Sequence, residues 1–259
     1  MCKILTASNC KGGTGKTTSA INLGIGLARK GYRVLLVDLD AQGSMSAGLG
    51  IENPDKLKYT IATALTKLID DECPDPRHGI IRHEEGIDFI PGNIELAILE
   101  ANLVNVISRE TILREYLSFL KNDYDYIILD CPPSLGQITL NAFAAADSVI
   151  IPVQAAYLPV KGMELFIKEI NKVKGRLNPL LTIEGILITM VDGRTNYAKE
   201  MIRQLNSSYD KDIRIFKSNI PFSVRALEAS QKQKSIFSYD PKGKVAEAYQ
   251  KLTEEVLES

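Results

Sequence analysis

The segment Lys11-Gly12-Gly13-Thr14-Gly15-Lys16-Thr17-Thr18 constrains this chain more than any other. It follows an apolar run at residues 3–8 and opens a stretch, 17–30, in which apolar residues recur at three and four. A glycine-rich turn between strand and helix lets backbone N–H groups converge on phosphate oxygens. The helix N-terminus adds the positive end of its dipole. In such a loop Lys16 reaches the β- and γ-phosphates and the Thr17 hydroxyl ligates Mg²⁺. Gly12, Gly13, Thr14, Gly15 and Thr18 complete the cradle. A strict Walker A pattern wants glycine where Cys10 stands; Lys11-Gly12-Gly13 ahead of Gly15-Lys16-Thr17 is the deviant form with a second lysine.

The rest of the chain alternates in the same way. Residues 34–37, 87–90, 127–129, 149–153 and 186–191 read as further strands, apolar without polar alternation, as strands buried on both faces of a parallel sheet should be. Residues 93–105, 109–121, 161–176 and 197–207 carry helical periodicity, and 242–257 predicts a final surface helix. This is the pattern of an α/β fold: a doubly wound, mostly parallel sheet flanked by helices. Gly31 is placed to end the first helix, and Ser223 to cap a short helix entered from Pro221. Residues 70–79 form the loosest stretch. No repeat or linker divides the chain, so 1–259 is expected to be a single domain.

Composition excludes other classes. Of 259 residues, 45% are hydrophobic and 24% charged, too apolar for disorder. No apolar stretch approaches the ~20 residues of a spanning helix, and no basic-then-apolar opening predicts secretion. The four cysteines, Cys2, Cys10, Cys73 and Cys131, lack zinc-type or redox-type spacing and read as free thiols in the cytoplasm. The net charge is −1, but residues 51–130 carry −8 and residues 161–245 carry +7. Such asymmetry fits a polyanion-binding face and equally fits solvated helix faces.

Two strands end in carboxylates. One is followed by Asp38-Leu39-Asp40-Ala41-Gln42-Gly43, the other by Asp130-Cys131-Pro132-Pro133-Ser134-Leu135-Gly136. Ligands of open α/β sheets bind at the carboxyl ends of the strands. Asp130 is therefore the expected Walker B residue, holding Mg²⁺ through a water, and Asp40 the residue that orients the attacking water. Asp38 either joins them or braces the loop.

These residues together resemble the ParA/Soj ATPases that segregate plasmids and chromosomes, in their short form without an N-terminal helix-turn-helix. The resemblance continues through Ile151-Pro152-Val153-Gln154, Asp192-Gly193-Arg194-Thr195-Asn196, Ile220-Pro221-Phe222-Ser223-Val224-Arg225 and Tyr239-Asp240-Pro241-Lys242-Gly243. It implies an ATP-driven sandwich homodimer in which Lys11 reaches the partner's nucleotide. It implies that the dimer binds double-stranded DNA without sequence preference, and that a centromere-binding ParB-type partner stimulates hydrolysis. Arg194 and Arg225 match the family's DNA-contacting arginines, with Lys199, Arg203, Lys217, Lys232 and Lys234 as extensions of the patch. Asn219 and Pro221 fall in the segment that borders adenine. The protein would then be cytoplasmic and nucleoid-associated. Two departures stand out: Ala41 replaces a usual proline, and Cys10 a frequent glutamine.

Three alternatives share the loop. A MinD-like membrane-positioning ATPase would end in a basic amphipathic helix, whereas residues 247–259 are acidic, so no membrane partner is expected. A metabolic or redox relative, such as a nitrogenase iron protein or a small-molecule ligase, is the second; its redox version would need cysteines bridging a cluster between subunits, and only Cys131 follows a switch strand. A non-enzymatic adaptor would bind ATP without turning it over.

Overall fold

The computed structural model describes every residue except Met1, 73–74, 156–159 and 210–212, with the side chains at 160, 161, 197 and 206 also left aside. Cys73, expected to be a free thiol, lies outside the described residues; Cys2, Cys10 and Cys131 are free. The strands are β1 (Lys3–Ala7), β2 (Val34–Asp38), β3 (Ile81–Arg82), β4 (Asp88–Ile90), β5 (Tyr126–Asp130), β6 (Ser148–Gln154) and β7 (Thr182–Thr189). Among the described residues they form one sheet in the order β3-β4-β2-β5-β1-β6-β7. Every pairing is parallel except the short antiparallel β3–β4 edge.

Helices cover both faces. One layer contains α3 (Ile61–Ile69), α4 (Glu95–Asn102), α5 (Ile112–Ser118), α6 (Gln137–Ala145), α7 (Val160–Arg176) and α8 (Asn196–Tyr209). The other contains α1 (Lys16–Arg29), α2 (Ser44–Gly48), α9 (Val224–Gln231), α10 (Ile236–Tyr239) and α11 (Lys244–Leu257). Each layer buries its own apolar cluster. Ile127, Leu129 and Ile151 face Leu113, Phe143 and Phe166, whereas Leu5, Leu36 and Ile128 face Leu23, Leu27 and Leu252. That two-sided burial is why the strands lack polar alternation.

The expected helices form with shifted ends. Residues 93–105 become α4 followed by a 3₁₀ turn over Leu103–Asn105, and 109–121 shortens to α5. Gly31 takes φ 92° just past the end of α1, and the Ser223 hydroxyl accepts from Arg225 N–H to cap α9. α11 is less superficial than a surface helix, since Val245, Tyr249, Leu252 and Val256 bury against the α1 layer.

Candidate functional site

The phosphate loop lies between β1 and α1, near the centre of the sheet. Gly13 and Gly15 adopt φ 71° and 81°, the left-handed region that side chains disfavour. No side chain caps α1, so its first N–H groups stay open to an anion. Neighbouring strands hold the loop rigid. Asn9 donates to Pro152 O at 2.7 Å and accepts from Lys11 N, and the Thr189 hydroxyl donates to Thr14 O at 2.8 Å. Lys16 is buried, and its ammonium donates to Lys11 O at 3.2 Å. Burial lowers its pKa, and Asp130 is the foremost group opposing that fall.

Asp38 and Asp130 are register partners on adjacent strands, both buried. Asp38 accepts from Ser46 N–H at 2.8 Å, the Ser46 hydroxyl at 2.7 Å and Asp40 N–H at 3.2 Å. Ser46 in turn accepts from Gly92 N–H at 3.0 Å. Desolvation lifts the Asp38 pKa to about 6, even against these donors. The Asp38 side chain is therefore occupied in bracing the loop after β2. Asp130 differs. Among the described residues neither of its buried oxygens accepts a hydrogen bond of ordinary length, although the Thr17 hydroxyl stands close. Burial and then the Asp38 charge push its pKa well up, while the Thr17 hydroxyl and the Lys16 ammonium oppose the rise. A dry, orphaned carboxylate beside a threonine hydroxyl and a lysine suits a hydrated cation shared with phosphates. Among the described residues no cluster of three or more His, Cys, Asp or Glu could hold a metal by itself. Asp40 is half-buried, and its carboxylate accepts from Gln42 N–H at 3.0 Å.

Past the end of β7 a bridge joins Val191 to Pro221, which brings Asn219, Pro221, Arg194 and Arg225 to one end of the sheet. Among the described residues the buried Asn219 side-chain oxygen has no hydrogen-bond partner. Pro221 borders two hollows. One, about 150 Å³, runs back to Gly15 and Thr18 past Met190, itself strained at φ 53°. The other, about 820 Å³, is an open cleft edged by Arg194, Lys217, Lys244 and Lys251 together with the carboxylates of Asp192 and Glu247. Arg194 is 89% exposed and forms a two-point pair with Asp192, Nε–Oδ1 and NH2–Oδ2 both 2.9 Å. Arg225 lies 3.8 Å from the Asp240 carboxylate.

A family described as an AAA domain matches residues 2–183. The sporulation initiation inhibitor protein Soj of Bacillus subtilis is 44% identical over 260 residues, spanning 99% of this chain and 98% of that protein. The chromosome partitioning protein ParA of Myxococcus xanthus is 43% identical over 256 residues, spanning 98% and 88%. The chain belongs to the ParA/Soj family. Its fold is also similar to a structure described as cobyrinic acid a,c-diamide synthase of Mycobacterium smegmatis with an ATP analogue and magnesium. There the TM-score is 0.87 at 34% identity, with 99% of this chain and 94% of the other covered.

For this ParA/Soj member, the motifs nominated Lys11, Lys16, Thr17, Asp40 and Asp130, all of which gather at the carboxyl edge of β1, β2 and β5. Asn219 and Pro221 stand at that edge beyond β7. Three supporting residues carried no signal in the sequence: Asn9 beneath the loop, Thr189 across from Thr14, and Ser46 on Asp38. Each works through a contact distant along the chain or through one hydroxyl among several.

Proposed function

We propose that the chain is a Mg²⁺-dependent ATPase of DNA partition, a single domain over 1–259 that dimerises on ATP and then binds duplex DNA without sequence preference. The observation that carries this reading is Asp130, a buried carboxylate whose oxygens accept no hydrogen bond of ordinary length among the described residues, beside Lys16 and Thr17 at the mouth of the phosphate loop. Lys16 and the open N–H groups of α1 hold the phosphates, and the pre-fixed loop requires little reorganisation on binding. Mg²⁺ held by Thr17 and, through water, by Asp130 would neutralise charge on the transferring phosphoryl group. Asp40 orients the attacking water, and Lys11 reaches the partner's nucleotide. The Asn219 oxygen is suited to accept from an adenine amino group, with Pro221 against the ring.

Arg194 and Arg225 face duplex phosphates in this reading. The Asp192 pair does not preclude that, because exposed ion pairs are weak and screened by salt. A cytoplasmic, nucleoid-associated location follows from the DNA binding, and a ParB-type protein is the expected stimulating partner. A membrane-positioning role is disfavoured because the apolar face of α11 is already packed against the α1 layer.

Light scattering with ATP and Mg²⁺ tests the proposal. Asp40→Ala should bind nucleotide, turn over poorly and accumulate as a dimer, while Lys11→Ala stays monomeric. An Asp40→Ala protein that remains monomeric at saturating ATP contradicts it. Parent turnover should fall well below the ~10 s⁻¹ median of enzymes and rise with DNA plus a ParB-type partner. A fast ATPase indifferent to both would favour a small-molecule ligase.

A further inference from the structure

Residues 214–222 run along the open edge of β7. Phe216 N–H donates to Ile186 O at 3.0 Å, and Ile220 N–H donates to Ile188 O at 2.9 Å. An advance of two residues on β7 therefore faces an advance of four on the returning segment. A regular parallel ladder matches residues one to one, so two extra residues are looped out between Phe216 and Ile220. Asn219 lies in this bulge, and among the described residues its buried side-chain oxygen has no hydrogen-bond partner. A bulge re-aims side chains, and it also deprives backbone N–H groups of their ladder acceptors.

Glu255, on α11, supplies the acceptors instead. Its Oε2 accepts from Lys217 N–H at 2.9 Å and its Oε1 from Ser218 N–H at 2.7 Å. Arg214 completes the arrangement. Its NH2 donates to Glu255 O at 3.1 Å and stands 3.5 Å from Oε2, with the guanidinium 5.0 Å over the Phe216 ring. Burial alone would raise the Glu255 pKa, yet the donors on Ser218 and Lys217 and the Arg214 charge hold it below the ordinary carboxylate value. The place of this carboxylate within α11 is a second observation. It stands in the last turn of a helix that ends at Leu257, where a negative charge opposes the helix dipole. Glu255 therefore does nothing for α11 itself; its gain lies in the bulge. α11 is fixed in turn to the helix of the phosphate loop. The Tyr249 and Ser19 hydroxyls share a bond of 3.2 Å, and Tyr249, Leu252 and Val256 are buried in the α1 layer. One helix thus registers the bulge against the phosphate loop.

We propose that Glu255 is a positioning residue for nucleotide selection: by holding Lys217 and Ser218 it sets the bulge that presents the Asn219 oxygen to the 6-amino group of the base. This rests on the adenine contact proposed above and adds the residue that fixes it. Glu255 acts through the backbone of residues 217–219 and not by touching the base. Glutamine in its place keeps the shape but offers one acceptor to two donors.

Calorimetry with Mg²⁺ tests this by comparing ADP with purine riboside diphosphate, which lacks only the 6-amino group. Neither ligand carries a γ-phosphate, so turnover does not intrude. The parent should favour ADP by roughly tenfold, the worth of one hydrogen bond, and Asn219→Ala should bind both alike. Glu255→Gln should cut the preference to below about threefold, the loss falling on ADP and not on purine riboside diphosphate, whose binding reports folding. Added to Asn219→Ala, it should change the ratio no further. If Glu255→Gln does not fold, Glu255→Asp, whose two oxygens are withdrawn by one methylene, is read in its place. A Glu255 variant that keeps the parent's preference, or that weakens both ligands equally, overturns the positioning role and leaves the Asn219 contact standing. If the parent is indifferent to the 6-amino group, or Asn219→Ala is as selective as the parent, the adenine reading itself falls and the role of Glu255 with it.

Discussion

Asp38 and Asp130 stand side by side on neighbouring strands, away from water, yet they do different work. Asp38 accepts from three donors within 3.2 Å, whereas among the described residues the Asp130 oxygens accept no such bond, the Thr17 hydroxyl only standing close. The difference has a pH signature. The Asp38 pKa rises from near 4 in the unfolded chain to about 6 in the fold, so its contribution to stability is full below pH ~4 and is lost as pH rises through about 6. A shift of that size corresponds to about 2 to 3 kcal/mol. Urea unfolding of the parent against Asp38→Asn across pH 4–7 should show the parent losing more stability than the variant as pH rises. Parallel curves would place the ionisation elsewhere. Lys16→Ala should abolish nucleotide binding, measured by calorimetry, without unfolding the protein, because the Lys16 ammonium donates to the Lys11 carbonyl within its own loop rather than to a distant element. The lysines, glycines and strand-end aspartates were legible because their chemistry demands those residue types at those positions. Ser46 was not, since nothing local separates its hydroxyl from that of Ser44.

At the scale of elements, α1 and α11 approach so closely that glycine becomes a packing requirement. A Cβ built on Gly26 would lie 2.3 Å from the Thr253 hydroxyl oxygen, which is itself tied to Tyr249 O at 2.8 Å. Alanine should raise intrinsic helix propensity by up to ~1 kcal/mol. The clash should outweigh that gain, so Gly26→Ala is expected to lose about 1 to 2 kcal/mol net, read from the urea midpoint at constant m. Equal or greater stability would mean that α11 shifts freely. The elements missing from the sequence reading have physical reasons. α6 buries seven of its nine residues, leaving little polar face to mark a period. α3 is rich in the β-branched residues Ile and Thr, and starts from a Thr60–Thr63 capping box rather than one closed by Glu or Gln. The helices with wide polar faces, α7, α8 and α11, were legible.

At the scale of the whole molecule, DNA binding of the proposed kind requires one nucleotide-driven event that joins two weak basic faces into one site. A net charge of −1 gives no overall attraction to DNA; in the proposed reading the attraction comes from the later third, where residues 161–245 carry +7. Dimerisation doubles every phosphate contact, so ATP should convert negligible affinity into useful affinity through effective concentration alone. The most direct measurement is duplex-DNA binding by the Asp40→Ala protein with and without ATP over a salt series, beside the same protein carrying Arg194→Ala and Arg225→Ala. Binding should depend on ATP, be indifferent to sequence and fall steeply with salt. Each arginine removed singly should lower the log–log slope by about one unit, or about two when counted across a dimer. The double replacement should abolish binding while scattering still reports the ATP dimer. A double variant that binds with an unchanged slope, or a parent that binds equally well without ATP, would contradict the proposed reading.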